Sequence, residues 1–99
     1  MKRIMKVYRL NRQGRLPIPK DVRDKMAWVD GELYDVYIPP KSKTIVIETS
    51  ELQSNNNQCI YFKGRITIPI ELRKIINITE HDRLQYSIDN NKLIVKKGE

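Results

Sequence analysis

A mostly β protein with short helices, built from two tandem β-β-α-β-β units, is predicted by three observations in this sequence. The segment GRLPIPKDVRDKM at Gly14 to Met26 recurs without a gap fifty residues later as GRITIPIELRKII at Gly64 to Ile76. Short apolar runs rich in β-branched residues alternate with turn-forming Asn, Asp, Gly and Pro. After Pro19 and after Pro69 the apolar spacing becomes helical instead of alternating. An internal repeat of this kind means one supersecondary unit used twice.

The elements follow in order. Ile4 to Leu10 reads as a strand, closed by turn-forming Asn11 to Gly14. From Arg15 to Ile18 the pattern alternates, with Leu16 and Ile18 on one face and Arg15 on the other; Ile66, Ile68 and Arg65 repeat it. Pro19 and Pro69 stand where a helix starts and a missing amide hydrogen costs nothing, and an acid, Asp21 or Glu71, follows two places on. Val22 and Met26, and Leu72, Ile75 and Ile76, supply an inward helical face. Arg23 and Arg73, one step past the inward positions, are expected on the outside.

Trp28 and Ile78 follow at equivalent places and are expected in the core. Asp30-Gly31-Glu32 and Glu80-His81-Asp82 end the helical regions. Leu33 to Ile38 and Arg83 to Ile88 read as strands, the second alternating more cleanly. Asp89-Asn90-Asn91 is a tight hairpin signal before Leu93-Ile94-Val95, and Pro39 to Lys43 before Thr44 to Ile47 is its longer counterpart. Residues 1–48 and 59–99 are thus the two units. Polar residues 49–58 form the linker, which spans at most about 33–36 Å when extended. A unit of about 45 residues is too small to close a core alone, so the two copies are expected to share one pseudo-twofold core, within one chain or by exchange between chains.

Charge is concentrated. The net charge is +7. Residues 1–25 hold nine Lys and Arg against Asp21 and Asp24, so they alone carry 9 − 2 = +7 and the remainder balances to zero. A local cationic surface points to a polyanion. The one cysteine, Cys59, excludes an internal disulfide and a multi-cysteine zinc cage, and reads as a small apolar residue. His81 has no second His or Cys at ligand spacing, and no Ser/His/Asp set suggests catalysis. No cofactor and no metal are implied, and an enzyme is the weakest reading. No apolar run approaches the roughly 18 residues of a membrane span, and the N-terminus lacks a signal-peptide core, so a cytoplasmic protein is expected.

GRITIPIELRKIINITEHDRLQYSIDNNKLIVKK in the second copy, and more loosely the first copy, resembles the AbrB/MazE/SpoVT family of swapped-hairpin DNA-binding domains. The shared pattern is GR, an apolar-Ile-Pro step, a Leu-Arg helix, an acidic turn and a β-hairpin. The resemblance implies a barrel of two interleaved copies and a nucleoid-associated, sequence-specific regulator of transcription bound to double-stranded DNA. Carried over by position, the contacts it implies are Arg15 and Arg65 at the GR turns and Arg23, Arg73 and Lys74 on the helices. Arg9 and Arg12 precede the first turn, and Lys63 is the matching flank of the second. Arginine suits this work because its planar fork can hold phosphate oxygens or the O6/N7 edge of guanine.

The copies depart from the pattern in complementary ways. Arg73-Lys74 on the second helix corresponds to Arg23-Asp24 on the first, whereas Cys59-Ile60-Tyr61-Phe62 replaces the basic Arg9 to Arg12. Two unequal halves of one composite face are therefore expected. A MazE-like antitoxin and an oligomerisation module are the alternatives. The antitoxin ranks lower because Lys96-Lys97-Gly98-Glu99 is not followed by the acidic tail such proteins use.

Overall fold

A computed structural model of the chain describes residues 2–50 and 55–98; residues 51–54, in the middle of the expected linker, lie outside them. The first copy supplies β1 (Lys2–Tyr8), β2 (Arg15–Pro17), α1 (Lys20–Met26), β3 (Leu33–Tyr37) and β4 (Thr44–Thr49). The second supplies β5 (Asn57–Phe62), β6 (Arg65–Thr67), α2 (Ile70–Ile75), β7 (Leu84–Asp89) and β8 (Lys92–Lys97). Strand structure thus reaches into both ends of the 49–58 span, through Thr49 and from Asn57.

The eight strands form one antiparallel sheet, ordered β1-β7-β8-β4-β3-β5-β6-β2, curled into a nearly closed barrel. Its pairings interleave the copies. β1 joins β7, β3 joins β5, β2 joins β6 and β4 joins β8, so four ladders cross from one copy to the other. Among the described residues only the β3-β4, β5-β6 and β7-β8 ladders stay within a copy.

The registers reveal a pseudo-twofold relation. Leu16 and Ile66 occupy the same place in the repeat and are direct partners in the β2-β6 ladder. Both are fully buried, so the pseudo-axis emerges between them. Reciprocal backbone bonds flank that point: the Ile18 amide donates to the Gly64 carbonyl at 2.8 Å, and the Ile68 amide donates to the Gly14 carbonyl at 2.9 Å. A small unit that cannot bury both faces of its strands alone closes its core against its own duplicate.

Both helices begin after a proline. The Pro19 and Pro69 carbonyls accept from the Arg23 and Arg73 amides at 3.0 and 3.1 Å. They end alike as well, with Ala27 at φ 52° and Asn77 at φ 54°, after which the Trp28 and Ile78 amides reach back to the carbonyls of Arg23 and Arg73 at 3.1 and 3.0 Å. A left-handed residue followed by this back-reaching bond satisfies carbonyls that the helix end leaves orphaned. Val22 and Leu72 are the inward residues. Ile75, expected to face inward, is instead 67% exposed. α2 is a short helix packed through Leu72, and Ile76, just past its end, rests partly buried against the core in its place.

One continuous core draws on both copies, from Leu16, Val22 and Tyr34 to Tyr61, Ile66, Leu84 and Val95. Trp28 is buried as expected. It stacks on Tyr34 at 4.3 Å between ring centroids and meets Tyr61 of the other copy edge-on at 5.2 Å. Large rings matter here because a small domain has few other ways to remove apolar area from water.

Candidate nucleic-acid interface

The two GR turns are built differently. In the first, the Asn11 side-chain oxygen accepts from the amides of Gln13 and Arg15, both at 2.9 Å, and the Gly14 amide donates to the Asn11 carbonyl at 3.0 Å. In the second, Lys63 (φ 49°) and Gly64 (φ 79°) make a two-residue hairpin between the paired residues Phe62 and Arg65. Positive φ at both loop positions matches the twist of the flanking strands. The Lys63 amide is held by the Asp30 carboxylate at 3.2 Å.

Pairing of β2 with β6 sets the arginines side by side. Arg15 lies opposite Thr67 and Arg65 opposite Pro17, so the two guanidinium stems are diagonal neighbours on the outer face, over buried Leu16 and Ile66. Arg15, Lys63 and Arg65 line one groove of about 640 Å³ together with Ile60, Phe62 and Thr67. Among the described residues no carboxylate lines it. Three cations in a concave site, with the Asp30 carboxylate engaged on the Lys63 amide beside it, raise the local potential for an anion.

The remaining site residues are spread around this centre. Arg9 and Lys74 are exposed. Arg12 is exposed and 3.7 Å from Glu80, a distance and exposure at which an ion pair contributes little. Arg73 shares with Arg12 and Glu80 a second groove of about 350 Å³, which also holds His81. Arg23 and Arg73 correct the sequence expectation, because both are half-buried. Arg73 donates from Nε to the Ile68 carbonyl at 3.0 Å, and the Nε of Arg23 is likewise buried but makes no such bond. Both side chains are thus drawn against the protein surface rather than held out into solvent.

Sequence reasoning missed Ile60 and Phe62 as part of the site. They are 57% and 53% exposed, although apolar, because alternation along β5 turns Tyr61 inward and its neighbours out. That alternation was legible; the cationic groove beside it was not. Burial raises the Cys59 thiol above its usual range, which suits a packed apolar residue. His81 is exposed beside Glu80. Among the described residues no cluster of His, Cys, Asp and Glu could hold a metal ion, and no helix is long and apolar enough to cross a membrane.

The class the structure defines is a mostly β, nearly closed barrel of interleaved strands with two short helices, carrying arginine-bearing GR turns beside its pseudo-axis. In sequence, one stretch of 34 residues is 50% identical to the transition state regulatory protein AbrB of Bacillus subtilis, covering 34% of this chain and 35% of that protein. A 34-residue stretch is 44% identical to the transition state regulator Abh of the same organism, covering 37% of it. The match thus spans about a third of this chain and of each relative, and over that stretch the chain is AbrB-like. No protein-family model matches the chain, and no solved structure matches it significantly.

Proposed function

We propose that this protein is a sequence-specific, DNA-binding transcriptional regulator of AbrB-like type, not an enzyme, acting on nucleoid DNA in the cytoplasm. The observation that carries the reading is the groove in which Arg15 and Arg65, from equivalent turns, meet with Lys63. Its support from relatives is the partial match to two proteins named as transition state regulators.

In this reading units 1–48 and 59–99 are the halves of an intrachain pseudo-dimer whose pseudo-axis points at the duplex. Arg15, Lys63 and Arg65 hold the centre of the face, and Arg9, Arg12 and Lys74 extend it along the backbone. Arg23 and Arg73 contribute through their guanidinium tips. Phosphate contacts supply affinity, and arginine forks at base edges with DNA deformability supply specificity.

The test is fluorescence anisotropy on mixed-sequence duplex DNA at graded salt. With roughly 6 to 10 phosphates engaged, affinity falls by about 10³ to 10⁵ between 50 and 200 mM salt. Binding that ignores salt, or no binding to any duplex, sinks the proposal.

A further inference from the structure

The two ends of the face differ in chemistry. β1 pairs Tyr8 with Leu84, and β5 pairs Cys59 with Tyr34, the residue equivalent to Leu84 fifty positions earlier. Tyr8 and Cys59 are therefore equivalent, which corrects by one residue the fifty-residue spacing that set Cys59 against Arg9, and so are the residues after them, Arg9 and Ile60, then buried Leu10 and buried Tyr61. Leu33, directly opposite Ile60, is likewise equivalent to Arg83. Where one half of the molecule exposes Arg9 and Arg83, the other exposes Ile60 and Leu33, followed by Phe62.

This apolar wall is not separate from the cations. Phe62 is the direct partner of Arg65 across the hairpin, the Lys63 ammonium lies 5.3 Å from the Phe62 ring centroid, and Ile60 and Phe62 line the groove that holds Arg15. The ligand of such a groove must be anionic and must also offer an apolar surface within a side chain's reach. A duplex does so in its major groove, where phosphates border the C5-methyl groups of thymine. A second copy of the chain is disfavoured by its own charge of +7.

Resting on the DNA-binding reading above, we propose that Ile60 and Phe62 form an apolar reading wall for thymine methyl groups. The chain then binds its site in one orientation, with the Arg9 end on backbone and the Phe62 end on A·T-rich sequence. Phe62 is a specificity residue beside Arg65, which anchors the same half.

The experiment compares the intact chain on alternating poly(dA–dT) and on poly(dA–dU), which lacks only the methyl groups. Wild type is expected to prefer the thymine duplex by about fourfold for each methyl buried. Phe62→Ser and Ile60→Thr, both at exposed positions and checked for an unchanged Tm, are expected to erase the preference while leaving the salt dependence unchanged. Equal binding to both duplexes by wild type overturns the proposal and leaves the DNA-binding reading standing, as does a preference that survives Phe62→Ser. Phe62 shielded by an acidic amphipathic peptide but not by duplex also overturns it. Failure to bind either duplex overturns the proposal, and only when the mixed-sequence duplex is not bound either does the DNA-binding reading fall with it.

Discussion

The guanidinium of Arg73, on the helix of the second copy, lies over Gly14, in the turn of the first. A β-carbon at Gly14 would stand 2.6 Å from its Cζ, whereas a β-carbon at Gly64 would meet nothing within 4 Å. Both glycines hold positive φ, 76° and 79°, so both resist substitution for the same backbone reason. Only Gly14 also makes room for a side chain from the other copy.

Gly14→Ala is therefore expected to cost more than Gly64→Ala. Each carries roughly 1–2 kcal/mol of left-handed strain. Gly14→Ala additionally pushes the flexible end of Arg73 aside and breaks its bond to the Ile68 carbonyl, which adds about 1 kcal/mol. Denaturant midpoints of a double-mutant cycle decide the matter: in an Arg73→Ala background the two glycine substitutions should cost the same. A Gly14 excess that persists without Arg73 would show that the contact is not its cause.

The Arg15 and Arg65 side chains are exposed and make no hydrogen bond or ion pair among the described residues, so Arg15→Ala and Arg65→Ala should alter stability by less than about 0.5 kcal/mol. On DNA each should flatten the slope of log K against log salt by about 0.9, the share of one phosphate. The affinity losses should differ, because Arg65 stands beside Phe62 and Lys63 while Arg15 rises from the Asn11 turn. Arg73→Ala should behave differently again, losing stability as well as binding. Equal stability loss at Arg15 and Arg73 would contradict the positions assigned to them.

Much of this fold was legible in the sequence because its signals are local. Pro19 and Pro69, Asn11 to Gly14 and Asp89 to Asn91 act within a few residues of themselves, and the alternation at Leu84, Tyr86 and Ile88 needs only a strand. What stayed hidden depends on distant pairing. Nothing near Arg15 says that it shares a ladder with residues fifty positions on, and nothing near Ile60 says that Leu33 lies beside it. Ile75 failed for a related reason: helical spacing assigns a face, but α2 has only six residues and rests on Leu72. The half-burial of Arg73 required knowing that the next turn over carries a glycine.

Trp28 offers a test of the shared core, since it belongs to the first copy but packs on Tyr61 of the second. Its fluorescence in rising urea should follow the same curve as the far-ultraviolet dichroism of the whole chain, as a single cooperative unit requires. Trp28→Ala should cost about 3–5 kcal/mol. Two separate transitions would mean that the copies fold independently.

Alkaline pH should unfold the protein through its tyrosines. Tyr8, Tyr34, Tyr37 and Tyr86 all have their ionisation raised above the ordinary 10.0, in each case chiefly by burial, which disfavours the phenolate. The folded state therefore holds these protons more tightly than the unfolded chain. Stability from this source is fully present below pH 10 and is lost as pH rises through the higher folded values. Tyrosinate absorbance should accordingly rise steeply and together with loss of dichroism. Tyr86→Phe should shift that transition upward, yet cost about 1 kcal/mol at neutral pH, because the Tyr86 hydroxyl donates to the Pro17 carbonyl at 2.7 Å. Gradual titration near pH 10 with the fold intact would contradict this account.

The helix ends allow one substitution expected to stabilise. Ala27 and Asn77 hold the same left-handed conformation at the same place in the repeat, φ 52° and 54°, but only asparagine is suited to it. Ala27 is exposed, and the bond that closes its turn, from the Trp28 amide to the Arg23 carbonyl, uses backbone alone. Ala27→Asn should therefore gain about 0.5 kcal/mol without disturbing a contact, and Asn77→Ala should lose a similar amount. Ala27→Gly should gain less than the conformation alone suggests, because glycine also makes the unfolded chain more flexible. Thermal melts of the three variants check both signs at once. A destabilising Ala27→Asn would show that the first helix end is held by something other than its backbone conformation.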